Sequence, residues 1–380
     1  MSTPELPDVY AGLGVRRVIN ASGKMTALGG SAVSEEVASA IAAAARSHVS
    51  MEKLTTRAGA IIAGYAGAEA ACLTSGAAAG IVQMTAACIA GVDQVKVERL
   101  PDVDGDRRDV LLQTGHAVSF GAPVTQMIRL GGGRPVTVGW ANAVSKAQLE
   151  GSIDARTAAF LYVQSHHAVQ EGMLPLATCV AICHARGIPV LVDAAAEDEI
   201  GAYITIGADL VAYSGGKAFG GPTSGFVVGK RELIRACRAQ ERGVARPMKV
   251  GKEQVVGLLT ALAAHARRDH GRELARNRQI ADHLVELLTG IPETTIGVAW
   301  DEAGRAIPRA VLTFRTEQPG TAATALLAHL RNGDPPIYLR GHAAGLGSVA
   351  IDPRPLDEVD VPIVVERIKA FFRGARLRPE

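Results

Sequence analysis

Lys217 lies in a turn of small residues, Ser214-Gly215-Gly216-Lys217-Ala218, directly after the apolar run 209–213. An apolar run of this length, bounded by glycines, predicts a buried strand. Burial favours the neutral form of an amine, and the neutral amine is the form that attacks a carbonyl to make a Schiff base. Lys217 is therefore a candidate Schiff-base lysine. The alternative is a surface lysine on a flexible loop.

A second candidate is the turn Thr74-Ser75-Gly76-Ala77, which connects a short apolar stretch to an alanine-rich helix. Free backbone N–H groups at a helix start, together with two hydroxyls, can bind a phosphate. An ordinary serine helix cap would have the same sequence. The chain has no GxGxxG motif after a predicted strand, and its Gly-Lys pairs lack the upstream glycine of a Walker loop. These absences argue against the phosphate groups of NAD or ATP.

Asp193 ends the apolar run Val190-Leu191-Val192-Asp193. In open α/β folds, ligands bind at the carboxyl ends of the strands, where this carboxylate would lie. A buried carboxylate needs a partner, and the protonated nitrogen of a pyridine ring is a suitable one. The alternative is an aspartate that caps the following helix.

Together these three features provide a partner for a phosphate, a ring nitrogen and an aldehyde. Pyridoxal 5'-phosphate (PLP) is the cofactor that carries all three groups. The combination of Lys217, Asp193 and the turn at Ser75, Gly76 and Ala77 therefore predicts a PLP enzyme.

The composition fits a cytoplasmic enzyme. The chain has 380 residues with 40 Lys and Arg, 38 Asp and Glu, and a formal net charge of +2. This balance does not favour a nucleic-acid or membrane partner. No apolar run is long enough to span a membrane, and the N-terminus has no secretory signal pattern. Five scattered cysteines predict reduced thiols, and no metal site is expected, since Cys179, Cys183 and His184 supply too few ligands.

Strand and helix patterns alternate through the first two thirds of the chain. We predict strands at 109–113, 135–139, 158–164, 188–193, 209–214 and 224–229, and helices at 77–90, 175–185 and 230–240. Nearly continuous apolar strands that alternate with helices predict an α/β fold with a mostly parallel central sheet. A helical pattern then runs from 251 to 288, and further helices are expected at 322–331 and 361–372. The predicted organisation is an N-terminal segment (1–45), a large cofactor-binding domain (46–252), and a long linking helix with a small C-terminal α/β domain (253–380).

The chain resembles the fold type I PLP enzymes. Within them it is similar to bacterial selenocysteine synthase (L-seryl-tRNA selenium transferase) and its shorter relatives, the D-glucosaminate-type ammonia-lyases. The motifs that carry the resemblance are Val18-Ile19-Asn20-Ala21-Ser22-Gly23, Thr74-Ser75-Gly76-Ala77-Ala78-Ala79, Ser214-Gly215-Gly216-Lys217, Arg246-Pro247-Met248-Lys249, Pro335-Pro336-Ile337 with Arg340, and Ile351-Asp352-Pro353-Arg354. They indicate the branch but not one substrate.

The resemblance assigns roles to individual residues. Lys217 matches the Schiff-base lysine, Asp193 the partner of the ring nitrogen, and Ser75, Gly76 and Ala77 the phosphate cup, to which Ser214 adds a hydroxyl.

His116 falls where related enzymes stack a ring on the cofactor. Arg340 matches a position that anchors the substrate carboxylate, and Arg246 and Lys249 match positions that face anionic substrate groups. For these four residues the alternatives are a surface histidine, an interdomain salt bridge and a solvated turn.

His166 and His167 end the strand that precedes the strand of Asp193, and paired histidines there are candidate proton donors. Either of them could instead have a purely structural role.

The resemblance implies α,β-elimination from a small β-hydroxy amino acid or an amino sugar acid such as D-glucosaminate, with or without a 6-phosphate, to a keto acid and ammonia. The alternatives are a PLP-dependent racemase or aldolase, a selenium transferase, and a PLP-binding protein without turnover. Selenium transfer is disfavoured because the chain begins almost directly at the Val18-Ile19-Asn20 motif, where the transferases carry a tRNA-holding domain. A homodimer or higher homo-oligomer is expected from the resemblance alone.

Overall fold

The computed structural model describes residues 9–103, 105, 107–165, 167–301 and 304–375. The strands are β1 (Ile19–Ala21), β2 (Ala70–Thr74), β3 (Asp109–Gln113), β4 (Arg134–Val138), β5 (Thr157–Val163), β6 (Val190–Asp193), β7 (Leu210–Ser214), β8 (Gly225–Gly229), β9 (Thr294–Trp300), β10 (Pro308–Phe314), β11 (Ile337–Leu339) and β12 (Ser348–Ile351).

The α-helices alternate with these strands. They are α1 (Glu35–Ala45), α2 (Met51–Ala66), α3 (Ala77–Ala90), α4 (Gln94–Arg99), α5 (Val124–Leu130), α6 (Lys146–Ser152), α7 (Leu176–His184), α8 (Ala202–Ile206), α9 (Arg231–Ala239), α10 (Lys252–Ala266), α11 (His270–Leu288), α12 (Pro319–Asn332) and α13 (Asp360–Ala375).

The chain divides into two compact units. One comprises residues 29–267, and the other comprises residues 1–28 and 268–380. The segments predicted from the sequence end instead at 45 and 252. The difference arises because α1 packs against α10: a Cβ at Gly257 would lie 2.7 Å from Ile41, so 29–45 and 253–267 both join the larger unit.

A seven-stranded sheet forms the centre of the larger unit, in the order β2-β8-β7-β6-β5-β3-β4. The pairs from β4 to β7 are parallel, and β8 is antiparallel to both of its neighbours. Every residue of β5 and β6 is buried, as expected for strands that helices cover on both faces. The prediction of an α/β fold with a mostly parallel central sheet is confirmed.

The smaller unit contains an antiparallel sheet in the order β12-β10-β9 and a parallel pair of β1 with β11. Its helices α11, α12 and α13 bury apolar residues such as Leu284, Leu326 and Val364 in one core. The helical stretch 251–288 predicted from the sequence is divided at Arg267 between α10 and α11, and Asp269 caps the second helix by accepting from the backbone N–H of Arg272.

Among the residues that the structure describes, no helix combines the length and the apolar character needed to cross a membrane.

Candidate active site

The carboxyl ends of the parallel strands meet at one edge of the large sheet. Asp193, the last residue of β6, pairs in register with Val163 of β5 on one side and with Ala212 of β7 on the other. Lys217 follows the end of β7 by three residues. The sheet therefore brings the two predicted cofactor residues to the same edge, as the sequence predicted.

Hydrogen bonds hold the turn that carries Lys217 at both ends. The backbone N–H of Gly215 donates to the carbonyl of Ser224 at 2.8 Å, and the N–H of Gly221 donates to the carbonyl of Gly215 at 2.8 Å. A Cβ at Gly215 would lie 2.7 Å from Cδ1 of Leu258 on α10, so a larger residue would require the Leu258 side chain to move. Lys217 itself is half-buried.

One strand, β8, separates the turn at Thr74, Ser75 and Gly76 from Ser214. Gly225 of β8 pairs with Thr74 of β2 on one side and with Ser214 of β7 on the other. A Cβ at Gly225 would lie 2.7 Å from Oγ1 of Thr74 and 2.8 Å from the carbonyl carbon of Gly76. A glycine between the two strands therefore lets this turn approach the end of β7.

Helix α3 starts at Ala77, directly after this turn. Its cap residue is Gly76, which has no side chain to accept from the first backbone N–H groups of the helix. The first turn of an α-helix has N–H groups without intrahelical partners and a positive partial charge. This helix start therefore suits a phosphate, with the hydroxyls of Ser75 and Ser214 nearby on the same edge.

His116 is fully buried in the turn that follows β3. Its Nδ1 accepts a hydrogen bond of 3.2 Å from the backbone N–H of Val163, the residue that pairs with Asp193. Its ring also meets the edge of Tyr162 at 4.6 Å between centroids. Among the described residues, the buried Nε2 has no hydrogen-bond partner. His116 therefore lies against Val163, the residue that pairs with Asp193, and its Nε2 is available to a ligand.

Asp193 is only 4% exposed, and burial raises the pKa of its carboxyl group to about 6, while the positive charge of Lys217 opposes that rise. The backbone N–H of Ala195 donates to Oδ1 of Asp193 at 3.2 Å. A cationic partner stabilises the ionised form of a buried carboxylate, and a protonated pyridine nitrogen is such a partner. Asp193, His116, Lys217 and the start of α3 thus all fit PLP.

The other predicted residues lie in three places. His167 is exposed in the turn after β5, and His166 lies outside the described residues. Arg246 and Lys249 are both exposed at a short 3-10 turn between α9 and α10. Arg340 belongs to the smaller unit, where it is 9% exposed and pairs with Ala350 through two backbone hydrogen bonds of 2.9 Å.

Sequence reasoning missed Ser31, whose hydroxyl donates to the carbonyl of Lys217 at 3.2 Å. A Cβ at the preceding Gly30 would lie 2.8 Å from the carbonyl oxygen of Gly216, and the backbone of Gly30 has a φ of +80°. The pair Gly29-Gly30 was the available signal, because consecutive glycines indicate a close backbone approach.

The cysteines are thiols in this structure. Burial raises the pKa values of Cys179 and Cys183 to about 12, so neither is poised to become a thiolate ligand. Within the described ranges, no three His, Cys, Asp or Glu side chains are grouped as metal ligands.

Known proteins resemble this chain along most of its length. Residues 18–278 match the family model described as L-seryl-tRNA selenium transferase. The chain is 42% identical over 369 residues to D-glucosaminate-6-phosphate ammonia lyase of Salmonella typhimurium (strain 14028s / SGSC 2262), which covers 97% of this chain and 99% of that protein. It is 43% identical over 365 residues to 5'-C-glycyluridine monooxygenase-decarboxylase of a Streptomyces species, covering 96% and 92%.

Solved structures also resemble this chain. A structure of D-glucosaminate-6-phosphate ammonia-lyase matches with a TM-score of 0.87 and 41% identity, covering 97% of this chain and 99% of that chain. A serine palmitoyltransferase from S. paucimobilis with a bound PLP–myriocin aldimine shares the fold, with a TM-score of 0.59 and 16% identity over 94% of this chain and 88% of that chain.

The fold and the site define a PLP-dependent enzyme of fold type I, and its cofactor is PLP. Within this class, the chain belongs to the L-seryl-tRNA selenium transferase family.

Proposed function

We propose that this enzyme is an ammonia-lyase that catalyses α,β-elimination on a β-hydroxy amino acid of the sugar-acid type, with D-glucosaminate 6-phosphate as the first candidate substrate. The products are a keto acid and ammonia. The observation that carries the proposal is the similarity along the whole chain to the Salmonella lyase, 42% identity over 97% of this chain. The arrangement of Lys217, Asp193 and His116 at one sheet edge supports it.

Lys217 would hold the cofactor through its aldehyde, and its neutral amine would be the base that takes the proton from the α-carbon of the substrate. PLP, when bound, supplies a pyridinium ring that accepts the electron pair left on that carbon. The Asp193 carboxylate would keep the ring nitrogen protonated, because burial makes an unpaired carboxylate unfavourable and a cationic partner favourable at that position.

The leaving hydroxyl needs a proton when the bond between the β-carbon and oxygen breaks, so that it departs as water. His167 is the described candidate for this donor. It is exposed in the turn that begins two residues after Val163, the partner of Asp193 in the sheet. His166, its neighbour in the sequence, is the second candidate. The enamine that remains hydrolyses to the keto acid and ammonia.

Two anionic groups of the candidate substrate need cationic partners. Arg340 is the proposed partner of the carboxylate, since a guanidinium binds a carboxylate with two parallel hydrogen bonds. Arg246 and Lys249 are the proposed partners of the 6-phosphate. Both are exposed, so their side chains are accessible to a ligand.

A second candidate function is the reaction of the Streptomyces relative, favoured by its 43% identity over 96% of this chain. Such an enzyme would consume oxygen and release carbon dioxide, neither of which an ammonia-lyase does.

One assay separates these functions. The PLP-loaded protein is incubated with D-glucosaminate 6-phosphate, D-glucosaminate, a panel of β-hydroxy amino acids and 5'-C-glycyluridine, while ammonia, keto acid, oxygen uptake and carbon dioxide are measured. We expect ammonia and keto acid in equal amounts from the sugar acid, and no turnover by Lys217→Ala. Oxygen uptake with carbon dioxide release would select the second candidate, and inversion at the α-carbon without release of ammonia would select a racemase.

We also propose that the protein is a cytoplasmic homo-oligomer of at least two chains. Its thiols are free, and Val9, Leu13 and Val15 near the N-terminus expose 67%, 75% and 54% of their surface, which suits burial by another copy. Light scattering after size exclusion tests this, and a monomer at micromolar concentration would contradict it.

A further inference from the structure

His265, on α10, contacts the two segments that carry the principal cofactor residues. Its Nε2 donates a hydrogen bond of 3.0 Å to the backbone carbonyl of Asp198, five residues after Asp193. Its ring meets the ring of Phe219 edge-on, with 5.0 Å between centroids and 84° between planes, and Phe219 lies two residues after Lys217. His265 is 7% exposed and Phe219 is fully buried, so both contacts lie in the interior of the larger unit.

The rest of α10 supports the same turn. A Cβ at Gly221 would lie 3.3 Å from the Cβ of Ala261, and one at Gly215 would lie 2.7 Å from Leu258. The helix is thus in van der Waals contact with both ends of the Lys217 turn. A shift of α10 would therefore move this turn with it.

The segment after Asp193 is held by hydrogen bonds at both of its ends. The hydroxyl of Tyr213 donates to the carbonyl of Glu199 at 3.2 Å, beside the bond from His265 to Asp198. At the near end, the backbone N–H of Ala195 donates to the Asp193 carboxylate. The backbone N–H of Ala194 also donates to the carbonyl of Ala212 at 2.9 Å, so the sheet holds the near end of the segment, and His265 and Tyr213 hold its far end.

We propose that His265 is a positioning residue for the cofactor site: it fixes the segment after Asp193 relative to the Lys217 turn, and so sets the geometry between the carboxylate that faces the ring nitrogen and the amine that holds the cofactor. The hydrogen bond sets the position of the Asp193 segment, and the ring contact sets that of the Lys217 turn. The inference rests on the PLP site and does not depend on which substrate the enzyme takes.

Three variants separate the two contacts. His265→Gln keeps a side-chain N–H that can reach the Asp198 carbonyl but loses the ring. His265→Phe keeps an aromatic ring beside Phe219 but loses the donor. His265→Ala loses both. The matched control is His283→Ala, which removes an exposed helical histidine of the smaller unit whose described partner is Glu286.

The measurements are PLP retention on dialysis, the pH at which the visible absorbance of bound PLP is half converted, and kcat and KM. We expect His265→Ala to lower kcat by roughly tenfold to a hundredfold, as a misplacement of about 1 Å does at a reactive centre. KM should change little, and the absorbance midpoint should move. His265→Gln should recover part of the loss in PLP retention and kcat, His265→Phe a smaller part, and His283→Ala should behave as the parent.

The proposal would be overturned if His265→Gln and His265→Phe matched the parent in PLP retention, absorbance midpoint and kcat. A lower melting temperature with those three readouts unchanged would also overturn it, because it would assign His265 to packing alone. If the parent itself released no ammonia, the lyase proposal would fail, whereas PLP retention and the absorbance midpoint would still decide the role of His265.

Discussion

The backbone N–H of Val163 donates to Nδ1 of His116 across 3.2 Å. Because Nδ1 accepts this bond, the neutral ring carries its proton on Nε2, the atom without a partner among the described residues. Burial lowers the pKa of His116 to about 4, so the ring is neutral at physiological pH. The backbone bond therefore sets the tautomer of the His116 ring, and burial keeps that ring neutral.

His116 should make the cofactor-free protein sensitive to acid. Its pKa is about 4 in the folded state and about 6.5 in the unfolded chain, so the folded state binds fewer protons between these values. The free energy of unfolding should therefore fall as pH drops from 6.5 to 4, by on the order of 3 kcal/mol from this group. His116→Phe should remove that slope in urea titrations, whereas His283→Phe should keep it. Equal slopes in the parent and His116→Phe would contradict this assignment.

Asp193→Asn should stabilise the cofactor-free protein and abolish activity. The pKa of Asp193 is raised by burial from 3.8 to about 6, so the folded state binds more protons in this window and stability falls as pH rises through it. Above pH 6 the neutral amide should raise the free energy of unfolding by about 2–3 kcal/mol, measured by urea titration.

The same amide cannot keep a ring nitrogen protonated, so turnover should fall by several orders of magnitude even with PLP bound. If Asp193→Asn retained more than a tenth of the parent's kcat, Asp193 would not be the partner of the ring nitrogen.

Gly225→Ala should weaken PLP binding, although Gly225 has no side chain that could contact the cofactor. The added Cβ would lie 2.7 Å from both Oγ1 of Thr74 and the carbonyl oxygen of Tyr213, so the turn or β7 must move. Overpacking of this kind costs about 1–3 kcal/mol, and we expect a lower melting temperature and a several-fold higher Kd for PLP in equilibrium dialysis. Gly151→Ala is the control, since a Cβ there meets nothing within 4 Å. An unchanged Kd for Gly225→Ala would show that the turn at Thr74 does not bind the phosphate of PLP.

Lys24→Met should stabilise the protein most below pH 8. Burial, with the nearby charges of Arg268 and Arg354, lowers the pKa of Lys24 from 10.5 to about 8. Between these values the folded state binds fewer protons than the unfolded chain, so the stability of the parent rises with pH and the advantage of Lys24→Met shrinks. Melting temperatures from pH 7 to 10.5 check this, with the exposed Lys53→Met as control. A difference between Lys24→Met and the parent that did not vary with pH would show that charge burial is not its cause.

The sequence alone was sufficient to predict most of the large sheet. The predicted strand 109–113 and helix 77–90 coincide with β3 and α3, and five other strands were predicted to within two residues at each end. Strands buried on both faces have continuous apolar runs, and such runs are visible without an alignment. The break at Arg267 was not predicted, because the helical pattern continues through it and the capping role of Asp269 was overlooked.

By itself the sequence determined which groups are present: an amine in a glycine-rich turn, a carboxylate at a strand end and a small-residue turn at a helix start. These are local properties, set by residue type and short-range periodicity. Only the tertiary structure decided how they meet, because pairing in register placed Asp193 between Val163 and Ala212, and Gly225 between Thr74 and Ser214. The contacts of His116 with Val163, Ser31 with Lys217 and His265 with Asp198 join residues far apart in the chain, so no local pattern could predict them.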